Sequence, residues 1–343
     1  MLKVRGHAGP MQGGHAGPMQ SGRSRGFVDM RQATTATVDL AQAAAAEKAA
    51  DNERALFAAP TVTTVFIVPY RDREADKAVF LAKMHDLLTA AGWPANTWQI
   101  ILAHQCDKRP FNRGAMKNIG FLVVKRLYPT RYADLTLVFN DVDTFPTQAG
   151  LVHYMTDPGV VSHFFGYKFS LGGIFAIKGG DFERSLGFPN FWGWGLEDNM
   201  MQDRCIAADL TIDRNCFYPI KSPQITQRFD GYNRTLSMRE AVVYTQETPD
   251  SLIHLTNVNF VMQAHAPTYM AAHATHATHA AVSWTEPPPT IKNVLMAHVT
   301  QFTCGSADTD HIFKPYDIRN GPFIKTEAGY GRRVWNMKKM FSA

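Results

Sequence analysis

Cysteine is scarce in this 343-residue chain: Cys106, Cys205, Cys216 and Cys304 lie far apart. No C-x-x-C pair occurs, which argues against a zinc ribbon and implies no disulfide framework. Charge is also thin. Asp, Glu, Lys and Arg make up 19% of the residues, and the formal balance is only +5. Apart from a modest cluster at Arg332, Arg333, Lys338 and Lys339, the basic residues are spread out, so no stripe for a phosphate backbone is present and no nucleic-acid partner is expected. No apolar run reaches the about 20 residues of a transmembrane helix, and the N-terminus has no apolar signal core. The expectation is a soluble chain with no membrane span, no signal peptide and no anchor, its compartment left open. Hydrophobic residues, at 45%, and aromatics, at 11%, are plentiful enough for a substantial core.

The first sixty residues read as a disordered arm and spacer. Gly-His-Ala-Gly-Pro-Met-Gln occurs twice, beginning at Gly6 and Gly14, and its histidines, His7 and His15, belong to a solvated tail. The Ala-rich stretch from Asp39 to Ala58 favours a helix with few large apolar residues to bury. Order is expected from Val62. Thr61–Val68 is β-branched and apolar, a buried strand stopped by Pro69-Tyr-Arg-Asp-Arg73. Glu74–Ala91 reads as an amphipathic helix, Trp98–Ala103 as a strand, Phe111 to about Leu127 as a helix and Leu135–Phe139 as a third strand. Strand–helix alternation of this kind predicts an α/β fold whose parallel sheet is covered on both faces. Ligands then bind beyond the carboxyl ends of the strands, where Pro69–Arg73 and Asp141–Asp143 should meet.

Further on, Gly172-Gly173 lies between apolar runs, a place for close approach of backbone to a ligand. Met200–Ala208 reads as a helix, Leu210–Ile212 and Leu295–Phe302 as strands, and the Ala/Thr-rich run with His273, His276 and His279 as a low-complexity insertion. The predicted organisation is an arm over 1–60, a catalytic domain over 61–262, the insertion over 263–290, and a C-terminal extension over 291–343 that is free to pack on the domain.

Two motifs carry chemistry. In Gly187-Phe-Pro-Asn-Phe-Trp-Gly-Trp-Gly-Leu-Glu-Asp-Asn199, Trp192 and Trp194 offer flat walls of the kind that stack on sugars, while Glu197 and Asp198 set acceptor oxygens and a general base beside them. In Asp141-Val-Asp143, strand alternation would put both carboxylates on one side, where they repel each other unless a cation such as Mg²⁺ or Mn²⁺ sits with them.

Pro69-Tyr-Arg-Asp-Arg-Glu74, Phe111-Asn-Arg113, Asp141-Val-Asp143, Leu171-Gly-Gly173 and the Trp-Gly-Trp-Gly-Leu-Glu-Asp stretch occur in the order seen in the β-1,4-galactosyltransferase family, whose relatives include chondroitin-type N-acetylgalactosaminyltransferases. The resemblance covers roughly residues 62–230. It implies a GT-A fold, with a mostly parallel central sheet, flanking helices and a Rossmann-like nucleotide-binding half. It also implies an inverting transferase that uses a UDP-sugar and Mn²⁺ (or Mg²⁺). By the same resemblance Pro69, Arg71, Arg73, Phe111 and Arg113 hold the uridine and phosphates, with Asp141, Val142, Gly172, Gly173 and Trp194 also on the donor. Tyr167, Ser170, Trp192 and Asn199 face the acceptor, Glu197 positions the donor sugar, and Asp198 is the base. Asp143 binds the metal, with Gln224 and Gln227 falling where the family carries a Met and a His. An amide oxygen ligates a hard cation more weakly than imidazole binds Mn²⁺, so weak metal binding is expected. His254 is a distant substitute and reads as part of a strand. Ser170 replaces a family aromatic, and Asn199 replaces an acid that helps bind acceptor. The expected activity is transfer of galactose or N-acetylgalactosamine from UDP-galactose or UDP-N-acetylgalactosamine to a glycan or glycoconjugate hydroxyl. The alternative is a catalytically weak or inactive carbohydrate-binding protein on the same fold.

Overall fold

A computed structural model describes residues 30–240, 244, 250–265, 293–305 and 311–320. The N-terminal repeat with His7 and His15 and the run with His273, His276 and His279 lie outside the described residues. Contacts divide the chain into two units, 1–48 and 49–343. The Ala-rich stretch is helical over a longer range than expected, as α1 (Met30–Phe57), and its residues 44–48, at the end of the first unit, are exposed. From residue 49 on, α1 belongs to the second unit: Glu53 pairs with Arg126, and the Phe57 carbonyl accepts from Gln99 Nε2 at 2.9 Å. The order of the second unit therefore begins inside the helix rather than at Val62.

The first part of the sheet follows the expected strand–helix alternation. β1 (Thr64–Tyr70) is buried along its whole length. It is followed by α2 (Glu74–Ala90), β2 (Trp98–Gln105), α3 (Arg113–Leu127) and β3 (Thr136–Asn140). β1 lies between β2 and β3 and is parallel to both. Pro69 is tolerated in this central strand because the β3 pairing stops at Ile67, so its missing N–H removes no bond on that side. α2 buries Lys77, Phe80, Met84 and Leu88, one face at helical spacing. Asn112 caps α3, its side-chain oxygen accepting from Ala115 N at 2.8 Å.

β3 ends at Asn140, and Asp141–Asp143 forms a turn closed by Thr144 N donating to the Asp141 carbonyl at 3.1 Å. The expected strand alternation of the two carboxylates is therefore replaced by turn geometry. Asn140 enforces the turn, its Nδ2 donating to the carbonyls of Asp141 and Thr144, both at 2.8 Å. The chain returns through β4 (Thr144–Pro146), β5 (Val160–Gly166), β6 (Ile174–Lys178), the short α4 (Gly179–Arg184), α5 (Glu197–Ala207), β7 (Thr211–Asp213), β8 (Tyr218–Pro219), β9 (Ile225–Gln227) and β10 (Asn233–Ser237). After these come β11 (Thr256–Ala264), β12 (Val294–Thr303) and β13 (Phe313–Asp317). His254 lies in a single 3₁₀ turn before β11, not in a strand.

The main sheet runs β11-β12-β2-β1-β3-β6-β5-β7, with β8 also on β5. β12, β2, β1 and β3 are mutually parallel; β6 is antiparallel to β3 and β5, and β7 and β8 run parallel to β5. This is the mostly parallel α/β sheet with flanking helices that the GT-A expectation describes. Within it β12 pairs with β2 from Val294↔Ile100 to Val299↔Gln105. The segment read as a C-terminal extension thus contributes an interior strand.

α3 is buried on nearly every side because it carries the sheet on one face and the stretch from Gly187 on the other. Asn118 Nδ2 donates to the Phe188 carbonyl (2.8 Å) and to Asn190 Oδ1 (2.9 Å), and its Oδ1 accepts from Phe188 N at 2.9 Å. Asn112 Nδ2 donates to the Asn190 carbonyl at 2.9 Å, and Asn190 is in turn held by Asp250. Arg204 of α5, fully enclosed, donates to the carbonyls of Gly187 and Asp250. The backbones approach so closely that a Cβ on Gly114 would lie 1.9 Å from the Pro189 carbonyl oxygen. Gly114→Ala is therefore expected to cost roughly 3 kcal/mol. Gly180→Ala, whose Cβ meets nothing nearer than 3.4 Å, is the control. Denaturant melts with equal losses for the two variants would contradict this packing.

Trp192 N donates to Glu240 Oε1 at 3.2 Å, and burial beside Asp250 pushes the Glu240 carboxyl up to about 7 from its ordinary 4.5. The folded state then keeps a proton that the unfolded state releases, so this group's contribution falls as pH rises from about 4.5 to about 7, by on the order of 3 kcal/mol. Across that window the wild type should lose stability relative to Glu240→Gln. Parallel melting curves from about pH 5 to about pH 8 would contradict the assignment.

Candidate active site

A cavity of about 680 Å³ opens beyond the carboxyl end of β3, where the turn after it meets the start of α5. Another recess, near Leu87 and Trp93, encloses only about 10 Å³. The large cavity is walled by Arg113 and Asp141, by Tyr167, Phe169 and Ser170, by Gly172 and Gly173, by the run from Trp194 to Asn199, and by Gln227. Ile220, Tyr244, Tyr316 and Ile318 complete it.

The acidic pair stands in the first turn of α5, where the helix dipole favours negative charge. Leu196, the residue before the helix, takes a left-handed conformation with φ 74°, a strained choice for a non-glycine residue that turns the chain sharply into α5. Two residues one helical turn apart on α3 meet the acids. Arg113 Nη1 is 3.5 Å from Glu197 Oε1, and Lys117 Nζ donates to Asp198 Oδ1 at 2.8 Å. Lys117 is itself buried, with its ammonium 4.5 Å from the centre of the Phe188 ring. It neutralises Asp198 and fixes its orientation. Burial and the neighbouring Asp198 charge raise the Glu197 carboxyl above the usual range, against the pull of Arg113 and Lys117. Arg113 is held above its ordinary value, against the penalty of burial, by Asp141, Glu197, Asp198 and Asp143. One guanidinium thus answers four carboxylates.

The opposite wall depends on Gly172. A Cβ there would lie 2.5 Å from Asp198 Oδ2, so the carboxylate occupies the space a side chain would need. The Leu171 amide donates to the Asp198 carbonyl at 2.9 Å. His163, buried beneath, places Nε2 3.1 Å from the Gly172 carbonyl and 3.0 Å from that of Phe165, while Nδ1 accepts from Arg214 Nε at 3.1 Å. Nε2 therefore carries the hydrogen. Burial and the Arg214 charge push this histidine down to about 4, so it stays neutral. It is a structural post under the glycine pair.

The third wall is Asp141, from the turn after β3; Asp143 of the same turn and Arg73 are not among the residues that line the cavity. Burial and the Asp141 charge raise the Asp143 carboxyl, which accepts from the Thr144 hydroxyl at 2.8 Å and pairs with Arg73 at 3.2 Å. Arg73 also reaches Asp76 and Asp230, so the loop after β1 and the turn after β3 do meet. β9 pairs with β4 and sets Gln227 opposite Thr144, and the Arg228 amide donates to the Asp143 carbonyl at 2.9 Å.

Several expected residues stand elsewhere. Trp192 is buried, stacked on Phe302 with ring centres 5.5 Å apart and covered by the Arg109 guanidinium; the turn at Gly193 sends Trp194, not Trp192, to the cavity. Gln224 is exposed, bonded to the Ser222 hydroxyl and three residues before Gln227, about 10 Å along extended backbone. It does not join Asp143. The Val142 side chain is in the core with Tyr70 and Phe145. Pro69 lies within β1, Arg71 donates to the Arg109 carbonyl, and Phe111 packs against the Trp192 and Phe302 cluster, so none of the three lines the cavity. Asn199 does line it, its Nδ2 donating to the Phe169 carbonyl at 3.1 Å. Sequence reasoning missed Lys117 and His163, which bear no motif, and Tyr244, Tyr316 and Ile318, which come from the weakly patterned C-terminal part.

Two family descriptions match in succession: the N-terminal region of glycosyl transferase group 7 over residues 19–154, and the N-terminal domain of galactosyltransferase over residues 161–228. Xylosylprotein 4-β-galactosyltransferase of Caenorhabditis elegans is 31% identical over 157 residues, 43% of this chain and 52% of that protein. β-1,4-Galactosyltransferase 1 of Mus musculus is 27% identical over 220 residues, 54% of this chain and 53% of that protein. The chain thus spans about half the length of these relatives. Among solved structures, the catalytic domain of Drosophila β-1,4-galactosyltransferase 7 with xylobiose aligns over 70% of this chain and 94% of that one, at 19% identity and a TM-score of 0.49. A mutant of that protein in complex with manganese, UDP-Gal and xylobiose gives 18% and 0.48. With the two matches running in succession over residues 19–154 and 161–228, this chain belongs to the galactosyltransferase family of group 7 glycosyltransferases.

Proposed function

We propose that this chain transfers galactose or N-acetylgalactosamine from a UDP-sugar to a glycan hydroxyl, in one displacement with inversion. The observation that carries the reading is the Glu197–Asp198 pair at the start of α5, on the wall of a cavity that Arg113, Asp141 and Trp194 share. Family membership supports galactosyl transfer as the chemistry. Within this reading Asp198 takes the proton of the acceptor hydroxyl as it attacks the anomeric carbon, and Glu197 holds donor hydroxyls. Arg113 and Arg73 bear on the diphosphate, while Tyr167, Phe169 and Trp194 provide flat surfaces for sugar rings. Ser170, buried at the cavity wall, leaves room beside the donor and a hydroxyl for a 2-acetamido group.

The oxygen donors of Asp143 and Gln227 are of the kind a hard divalent cation, Mn²⁺ or Mg²⁺, takes, Gln227 standing opposite Thr144 next to Asp143 in the strand register. The raised Asp143 carboxyl beside Asp141 is the environment a cation would relieve. Bound there, it would neutralise charge developing on the departing diphosphate. With Gln224 turned away, the donor set is short and its one neutral member is an amide. The metal is therefore expected to bind weakly.

Asp198→Asn keeps the shape and removes the basic oxygen, so kcat should fall by about 10²–10⁴-fold with UDP affinity nearly intact. Normal turnover of this variant would remove Asp198 from the role. If the wild type instead binds glycan and UDP without transfer, the binding-protein reading takes its place.

Gln227→His should lower the Mn²⁺ concentration needed for half-maximal transfer, because a basic imidazole nitrogen is a stronger electron-pair donor than a neutral amide oxygen. Activity indifferent to chelator and to Asp143→Ala would contradict the metal position.

A further inference from the structure

β2 and β12 run parallel with His104 directly beside His298 in register, so the two imidazoles leave the same face of the sheet. Cys106 follows His104 by two residues and stays on that face, its amide bonded to the Val299 carbonyl. The backbone ladder thus gathers three soft or borderline ligands from positions as far as 194 residues apart. The Nδ1 atoms of the two histidines are 3.1 Å apart, and Cys106 Sγ lies 3.6 Å from His104 Nδ1 and 3.9 Å from His298 Nδ1. A tetrahedral zinc with bonds of about 2.05 Å to nitrogen and about 2.3 Å to sulfur would need about 3.3 Å between nitrogens and about 3.6 Å between nitrogen and sulfur. The three observed separations match this to within a few tenths of an ångström.

The tautomer also fits. His298 Nε2 is 3.3 Å from Gln263 Oε1 on β11, and an amide oxygen only accepts, so Nε2 carries the hydrogen and Nδ1 presents its lone pair. A hydrogen bond between the two Nδ1 atoms would explain their 3.1 Å spacing, and the His104 carbonyl, 3.5 Å from Cys106 Sγ, can accept from the thiol, but neither bond requires all three ligand atoms to converge at zinc-like separations. Both histidines are half-buried while Cys106 is exposed, which leaves an entry path and an open fourth position for water.

We propose that His104, Cys106 and His298 form a binding site for a borderline-soft divalent cation of the zinc class, distinct from the Asp143 position. The soft thiolate selects such a cation over hard Mn²⁺. Its effect would be to pin β12 to β2 beside Tyr70, whose ring packs edge-on against His104 at 5.0 Å, next to the Pro69–Arg73 loop. The site stands independently of the proposed transfer reaction.

The test titrates the full reduced chain with Co²⁺ and follows its absorption. One equivalent should give an intense tetrahedral spectrum with a thiolate-to-cobalt charge-transfer band, displaced by Zn²⁺ and untouched by excess Mn²⁺. Cys106→Ser, at an exposed position that should fold normally, should abolish the charge-transfer band. Gln263→Leu, which removes only the partner of Nε2, should weaken Zn²⁺ binding by at least about tenfold. Asp143→Asn should change neither result. A weak octahedral spectrum, or a charge-transfer band that survives Cys106→Ser, would overturn the proposal. So would Zn²⁺ affinity unmoved by His298→Asn in protein whose melting curve shows it folded.

Discussion

The structure depends on the seam between α3 and the segment from Gly187 to Asp198. Asparagine side chains of α3 and its cap take over the hydrogen bonds of Phe188 and Asn190, and Gly114 lets the Pro189 carbonyl approach to a distance no side chain would allow. The seam continues as charge, Arg113 to Glu197 and Lys117 to Asp198. A buried polar seam has little slack, because breaking any member leaves an unpaired group in a low-dielectric interior. It therefore fixes the start of α5, and with it the acids, relative to the sheet. Gly172 then closes the other side against Asp198, with His163 beneath it.

Electrostatics sets the second constraint. Asp141, Asp143, Glu197 and Asp198 converge on a region where Arg113, Lys117 and Arg73 are the nearby cations. Burial and mutual repulsion raise both Asp143 and Glu197, so the cavity favours additional positive charge at its Asp141–Asp143 end. A nucleoside diphosphate with a divalent cation would meet that demand and bring the counter-charge for Arg113. In the proposed site the cation's protein ligands would be poor, Gln227 being neutral, which would tie its retention to the presence of the diphosphate.

Much of this was legible in the sequence for physical reasons. The β1-α2-β2-α3-β3 series announced itself because buried parallel strands are continuous apolar runs and α2 carries apolar spacing. The Glu197–Asp198 motif was local and composed of unusual residues. What failed to show depended on tertiary geometry. Trp192 and Trp194 look equivalent in a string, yet the turn at Gly193 buries one and exposes the other to the cavity. Asp141 and Asp143 read as strand alternation, but the Asn140 side chain converts them to a turn. Gln224 and Gln227 differ by three residues of extended chain, and only one reaches the site. Lys117 reads as an ordinary helix lysine until α5 is packed on it. The place of β12 between β11 and β2 follows from pairing alone, which no local pattern carries.

The central claim is that these walls present an activated acceptor hydroxyl to the face of the donor sugar opposite the leaving diphosphate. The anomeric configuration of the product tests this most directly. The purified chain, incubated with UDP-galactose, Mn²⁺ and a panel of glycan acceptors, should form a β-linked galactoside from the α-linked donor, as read from the anomeric proton by nuclear magnetic resonance. An α-linked product, or free galactose and UDP with no glycoside formed with any acceptor, would contradict the account.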